Sequence, residues 1–373
     1  MTEELKWFEI SQPEKLDSPA LLVFPDRVKH NILTALQMVN GNVDRLQPHI
    51  KTCKSAEPIK LMMAAGIYKF KCATIAETEL LATCGAKEVL LAYQAVGPKL
   101  TRLIELIKNF PSTSFSFLTD NHISAKQQAG EFATANLIGS VYVDINVGMN
   151  RTGIAPGDEA LMLYRFCNET PGLQIKGLHV YDGHIRNPDF DLKKQEVNKA
   201  FKPVEEMIAK IKEHQLPLTD IICGGSPSFS VHADRNEVIC SPGTFIYWDQ
   251  GDKTICPEQN FLPAIVILSR VISKPTQGVV CIDTGYKAMA SENEISKRIF
   301  FLNEVNLKPI GQSEEHMVLQ QEDKKEYYVG DCLYGLPYHV CPTVNLYGGV
   351  YTIENGLVTG EWKNIARERF INY

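Results

Sequence analysis

The chain has no long apolar run. No window approaches the ~18 uninterrupted apolar residues of a membrane-spanning helix. Its opening stretch, MTEELKWFEI, is charged and mixed and has no apolar core of a secretory leader. Blocks of Lys and Arg are also missing: 38 basic residues face 44 acidic ones, a formal net charge of −6. That balance argues against nucleic acid and against a membrane surface as partners. The ten cysteines are scattered, with no CxxC pair and no small-domain framework. Reduced thiols in a cytoplasmic protein are the expectation, with Cys72, Cys84, Cys167 and Cys281 packed among apolar neighbours. There is no internal repeat and no low-complexity linker. The apolar share of 44% and charged share of 22% are those of a globular protein. A length of 373 residues allows about two domains.

The order of elements carries more information. Val28, Ile32, Leu36 and Val39 recur at helical spacing, which predicts a helix over 26–39. Eight short β-rich runs follow, at 46–50, 70–74, 88–93, 114–119, 141–145, 176–181, 220–223 and 237–240. Helical patterns separate most of them, at 56–65, 77–83, 99–109, 123–135, 158–168 and 193–214. Strands alternating with helices imply right-handed βαβ units and a parallel sheet. Eight units predict a closed (β/α)8 TIM barrel in the α/β class. A doubly wound open sheet would favour a GxGxxG turn after an early strand, and none is present. From Gly251 onward the texture is β-rich, with strand-like runs at 261–272, 278–283, 298–302, 316–319, 326–328 and 350–353. The expected division is a barrel over 16–250 and a β-rich domain over 251–373, with an N-terminal strand from 1–15 (apolar at Leu5–Ile10) pairing with the second domain.

In a barrel, chemistry sits at the C-terminal ends of the strands. Four polar features fall there. Lys51 ends the first strand, in LQPHIKTCK; Arg151 follows the fifth, in VDINVGMNRTG; His184 follows the sixth, in GLHVYDGH; and Gly224, Gly225 and Ser226 follow the seventh. A lysine at a barrel mouth can be desolvated, and its neutral amine can then form a Schiff base. The plain alternative is a solvated lysine, as expected for nearby Lys54. Backbone N–H groups and a hydroxyl at Gly224–Ser226 can hold a phosphate, or the segment is simply a tight turn. His339 and Cys341, if extended, point to one face and offer one N and one S ligand, which suits Zn2+. A buried His and Cys is the competing reading.

Taken in order, LDSPALLVF, LQPHIKTCKS, VDINVGMNRTGI, GLHVYDGH, CGGSPSF, SPGTFIYWD, IDTGYKAMAS, SEEH and PYHVCPTVNL resemble the D-serine dehydratase and D-threonine aldolase family, over about Leu16 to Arg367. Members are pyridoxal-phosphate enzymes with an alanine-racemase-type barrel and a C-terminal β domain. The resemblance implies that Lys51 is the Schiff-base lysine and that Arg151 lies beside the cofactor's phenolic oxygen. Tyr181 would line the cofactor, His184 would be an acid–base group, and Gly224, Gly225 and Ser226 would help hold the phosphate. His339 and Cys341 would bind a divalent metal, Zn2+ being the expectation. The H-x-C form of that motif is the one of the family's dehydratase branch; the aldolase branch typically has H-x-D. One departure stands out. Related barrels often carry an arginine just before Pro-Gly after the eighth strand, and here Ser241 precedes Pro242-Gly243.

The reading favoured by these residues is a metal-assisted β-elimination of a D-β-hydroxy amino acid, D-serine dehydratase-like, giving a keto acid and ammonia. A D-threonine aldolase-like cleavage and an amino-acid racemase are the alternatives within the enzyme class. A cofactor-buffering pyridoxal-phosphate-binding barrel is the non-catalytic one, and the β-rich segment with its H-x-C argues against it. The resemblance also implies a homodimer.

Overall fold

The computed structural model describes residues 5–373. The first strand, β1 (Ala20–Val23), is buried at all four positions. Helix α1 (Pro25–Met38) then starts with proline at its first position, where a missing N–H leaves no bond unmade. Seven parallel strands follow in sequential order: β2 (Lys69–Cys72), β3 (Glu88–Leu91), β4 (Ser114–Thr119), β5 (Gly139–Ile145), β6 (Leu173–Val180), β7 (Asp220–Cys223) and β8 (Ile239–Cys240). Helices α2 (Ala56–Ala64), α3 (Ile75–Thr83), α4 (Pro98–Asn109), α5 (His122–Thr134), α6 (Asp158–Glu169) and α7 (Phe190–Glu213) alternate with them. Polar side chains start several: Thr74 accepts from Glu77 N, Asn121 from Ser124 N and Asp189 from Leu192 N.

The sheet closes through residues 46–49. Leu46 bridges Cys240 on one side and His49 bridges Lys71 on the other, both parallel. Backbone bonds from Gln47 N to Cys240 O (2.9 Å) and from Lys71 N to Pro48 O (2.8 Å) seal the seam. The eighth position of the (β/α)8 barrel is therefore two isolated bridges rather than the expected strand over 46–50. Pro48 has no N–H to give to a ladder. Inside the barrel, Leu90, Leu118, Tyr142, Ile222 and Ile239 form an apolar cluster of their own. The larger core lies between strands and helices.

The second sheet holds β1 and β9 (Ile265–Thr276), β10 (Val279–Ile282), β11 (Ile299–Phe301), β12 (Leu307–Gln312), β13 (Met317–Gln321), β14 (Cys332–Pro337), β15 (Gly349–Glu354) and β16 (Leu357–Lys363). Strand β1 lies between β9, antiparallel, and β15, parallel. This corrects three expectations. Of the strand expected over 1–15, residues 1–4 lie outside the described residues, and 5–15 form no strand. Phe8 and Ile10 instead pack against Leu22, Val266 and Tyr334. The N-terminal strand is Ala20–Val23, so sheet membership does not follow the expected division at residue 16. Residues 326–328 are not a strand, whereas β12, β14 and β16, which the turn signals did not reveal, are. All ten cysteines are free; Cys84 is half-buried and packs against the main core as expected, whereas Cys281 is half-buried outside it. No helix among the described residues is long and apolar enough to cross a membrane.

Candidate active site

The C-terminal end of the barrel gathers most of the expected residues. Lys51 lies in a single 3-10 turn (Ile50–Thr52) that ends the closing segment, and His49 accepts the Lys51 backbone N–H through Nδ1 at 3.2 Å. Lys51 is half-buried. On the opposite side, the ring of Tyr181 follows β6. The Arg151 guanidinium lies 5.0 Å from its centroid, so the structure brings Arg151 and Tyr181 together.

The Gly224–Ser226 turn is built around that ring. Gly224 has φ +74°, and a Cβ there would sit 2.8 Å from His232 and from Ser228 Oγ. A Cβ on Gly225 would come within 3.0 Å of the Tyr181 ring. Ser226 Oγ accepts from Gly243 N (3.1 Å) and Thr244 N (2.9 Å), so amides of the turn after β8 converge on the turn after β7. Asp182, buried behind Tyr181, accepts from Ser228 Oγ (2.5 Å) and pairs with His232 Nε2 (2.7 Å). Burial pushes the Asp182 carboxyl up, but His232 and Ser228 outweigh it and hold it below the usual range.

His339 and Cys341 reach the same mouth from the second sheet. The local conformation differs from the extended one expected: His339 caps, and Cys341 lies in, a short helix (Val340–Val344) after β14. Asp249 Oδ2 accepts from Val340 N (2.9 Å) and anchors that turn on the barrel. Cys341 Sγ lies 3.1 Å from Thr52 Oγ1, next to Lys51. Burial alone would raise the Cys341 thiol; the hydrogen-bonded His339 and nearby Lys51 reverse it to a net lowering. Burial lowers His339, while Cys341 and Glu292 raise it to about 9. The second nitrogen of the imidazole is engaged as well: Nδ1 bonds Glu292.

His184 is placed elsewhere. It is exposed, and its Nε2 faces Gly148 beside an apolar groove lined by Val147, Pro156 and Ile185. No hydrogen bond among the described residues joins it to Lys51. Three residues under the mouth were missed in the sequence: Lys71, Asp144 and His179. Their signal was weak, since β2, β5 and β6 carry other polar residues as well, and only strand register shows that these three face inward.

These features fit a flat aromatic aldehyde bearing a phosphate. A primary amine stands at the mouth, Gly225 lets the Tyr181 ring lie close, and the turns after β7 and β8 meet there, with Gly243 N and Thr244 N bonded to Ser226 Oγ. The His339–Cys341 pair fits a divalent cation in part. It supplies a nitrogen and a sulfur, with a carboxylate on the second imidazole nitrogen, an arrangement common behind metal-bound histidines. Among the described residues no third His, Cys, Asp or Glu completes a cluster.

Residues 23–250 match the family described as "Alanine racemase, N-terminal domain", and residues 264–353 match the one described as "Putative serine dehydratase domain". Over 364 residues the chain is 24% identical to the 3-hydroxy-D-aspartate aldolase of Paracoccus denitrificans (strain Pd 1222), covering 95% of this chain and 92% of the other. Over 358 residues it is 23% identical to the D-threo-3-hydroxyaspartate dehydratase of Delftia sp. (strain HT23), covering 88% and 92%. The crystal structure of D-threonine aldolase from Filomicrobium marinum superposes with a TM-score of 0.87 at 25% identity, over 98% of this chain and 99% of that one.

Proposed function

The chain belongs to the family of the alanine racemase N-terminal domain, and on that footing we propose that it is a pyridoxal-phosphate-dependent lyase of D-β-hydroxy amino acids. The observation that carries this reading is the convergence of Lys51, the glycine turn at Gly224–Gly225 and the His339–Cys341 pair on one barrel mouth. Lys51 is the covalent attachment point of the cofactor. The Gly224, Gly225 and Ser226 turn holds the phosphate, next to the Gly243–Thr244 turn that bonds Ser226 Oγ. Tyr181 lies along the ring, and Arg151 holds the phenolic oxygen.

When bound, pyridoxal phosphate would supply a conjugated electron sink for the electron pair left at Cα. Lys51, as a free amine, would be the base that removes the proton from Cα. His339 and Cys341 would hold a divalent cation, Zn2+ being the natural choice for N and S donors, which would supply a Lewis acid for the β-oxygen. Loss of water from the substrate, followed by hydrolysis, gives a 2-oxo acid and ammonia. The H-x-C ligand pair supports elimination, and D-serine is the simplest substrate of that kind. His184, exposed at the rim, remains a proposed acid–base group for substrates that reach it. A homodimer belongs to the same reading.

Aldol cleavage is the second reading, favoured by the aldolases among the relatives. D-threonine separates the two. Elimination yields 2-oxobutanoate and ammonia; cleavage yields glycine and acetaldehyde. Detection of glycine alone would overturn the dehydratase reading, and failure of the purified protein to bind pyridoxal phosphate would overturn both.

A further inference from the structure

Directly beneath the mouth the barrel is not filled by hydrocarbon. Lys71 is 2% exposed, and His179 and Asp144 are each 5% exposed. They come from three strands and meet in one line. Asp144 Oδ1 lies 2.7 Å from His179 Nδ1, and His179 Nε2 lies 3.4 Å from Lys71 Nζ. Strand register explains the meeting. His179 pairs with Asp144 across β5 and β6, and Lys71 pairs with Leu90, a member of the inward-facing cluster.

The hydrogen-bond chemistry fixes the direction of the chain. An ionised carboxylate can only accept, so His179 Nδ1 donates to Asp144 and Nε2 accepts from Lys71. Burial lowers His179, and the Asp144 bond does not restore it, so the imidazole is neutral. Burial raises Asp144, yet His179, a hydrogen bond from Thr152 and Lys71 bring it to a net lowering, so it is a carboxylate. Apolar side chains of similar volume would stabilise this interior at least as well. A buried amine–imidazole–carboxylate line at a barrel mouth therefore points to work done at the mouth.

Lys71 also faces upward. Its Nζ lies 5.8 Å from the centroid of the Tyr181 ring, the ring that Arg151 covers from another side. The titratable and charged groups around Lys71 are Lys51 and His49 from the closing segment, Asp144 from β5, His179 and Asp182 from β6 and its turn, and Cys223 from β7. Burial, with Lys51 and Lys71, keeps His49 neutral; burial, with Asp182, keeps Cys223 a thiol; and Asp182 is a carboxylate. Burial, helped by Lys51, brings Lys71 down to about 7.

We propose that Lys71 is a positioning residue, a buried cation whose charge, balanced through His179 against Asp144, sets how tightly the mouth holds the anionic cofactor. The inference rests on the proposed function and adds to it a specific electrostatic device. With Lys71 protonated the line Lys71–His179–Asp144 is neutral overall; with Lys71 deprotonated it carries one negative charge beneath a phosphate and a phenolic oxygen.

The test is the dissociation constant of pyridoxal phosphate, followed by absorbance on titration into cofactor-stripped full-length protein, at about pH 6 and about pH 8.5. Wild-type affinity is expected to weaken at the higher pH by about tenfold, the size of one partly screened unit charge. Lys71→Met is expected to bind weakly at both pH values, and Lys71→Arg tightly at both. Titrations of the cofactor itself are common to all three proteins and cancel in the ratio of variant to wild type. A Lys71→Met protein that keeps the wild-type profile overturns the inference. Should that variant fail to fold, Lys71→Arg decides alone, since a retained wild-type pH dependence is equally fatal. Wild-type protein that binds no pyridoxal phosphate overturns the proposed function itself; normal binding with indifferent variants overturns only the role of Lys71.

Discussion

Thr52 and Cys341 stand 289 residues apart in the chain, yet Oγ1 of one lies 3.1 Å from Sγ of the other. This contact joins the turn that carries Lys51 to the turn that carries the H-x-C motif. Asp249, which accepts from Val340 N, fixes the same junction from the barrel side. The His339–Cys341 pair therefore faces the barrel of its own chain.

Lys51 and Lys71 are the two amines at this mouth, and covalent chemistry tells them apart. Holoprotein reduced with borohydride and digested is expected to carry the pyridoxyl group on the Lys51 peptide. Lys51→Ala is expected to lose the reducible chromophore while keeping its fold by circular dichroism. An adduct on Lys71 in wild-type protein would move the attachment point down one strand.

Removal of either ligand side chain tests the metal. His339→Ala and Cys341→Ala are expected to retain pyridoxal phosphate but to lose bound metal on dialysis. Turnover of D-β-hydroxy amino acids should then fall by more than about a hundredfold. Glu292→Gln, which removes only the carboxylate behind His339, is expected to weaken metal affinity by about 10–100-fold. Elemental analysis together with re-addition of Zn2+ checks all three. Full activity in chelator would remove the metal from the reaction.

Asp182 organises the Gly224–Ser228 segment from behind. Its two oxygens take Ser228 and His232 in a site that is 2% exposed. Asp182→Ala leaves both partners buried without an acceptor and is expected to destabilise the protein by about 3–5 kcal/mol. Urea unfolding measures this. The pairing also predicts acid sensitivity. The folded carboxyl is held below its unfolded value, so its stabilisation is present above the unfolded value and is lost as pH falls through the folded one. The acid limb of the stability curve should flatten in Asp182→Asn.

Lys71 predicts the opposite limb. Burial, with Lys51 beside it, holds it at about 7 in the folded protein, against a reference value of 10.5. Between those values the unfolded chain binds more protons than the folded one, so stability rises with pH across that window. In Lys71→Met this contribution is expected to vanish. Urea midpoints at about pH 7 and about pH 9 for both proteins provide the measurement. A difference between them that does not change with pH would contradict the buried placement of Lys71.

Local pattern reached far along this chain. The 3.6-residue spacing of Val28, Ile32, Leu36 and Val39 marked α1, and alternation of short apolar runs with helical ones marked the barrel, because those signals depend on neighbours a few residues away. Lys51, Arg151, His184 and the Gly224–Ser226 turn were picked out as strand-end groups for a related reason, whereas Tyr181 came only from the family resemblance. Strand ends in a barrel all point to one face, so order alone sends them to the mouth. Edges of the second sheet were harder. Strand β1 lies between β9 and β15, partners more than 240 residues away, and nothing local to Ala20–Val23 distinguishes a buried strand from a buried turn.

What the sequence determined by itself was the class of fold, the family it resembles and the kinds of chemistry available, since periodicity and ordered motifs are properties of the chain. Tertiary structure alone decided which groups meet. It set His184 at the exposed rim, drew Cys341 onto Thr52, and lined Lys71, His179 and Asp144 beneath the mouth. Burial and electrostatic coupling act through space, and they exist only once distant strands have come into register.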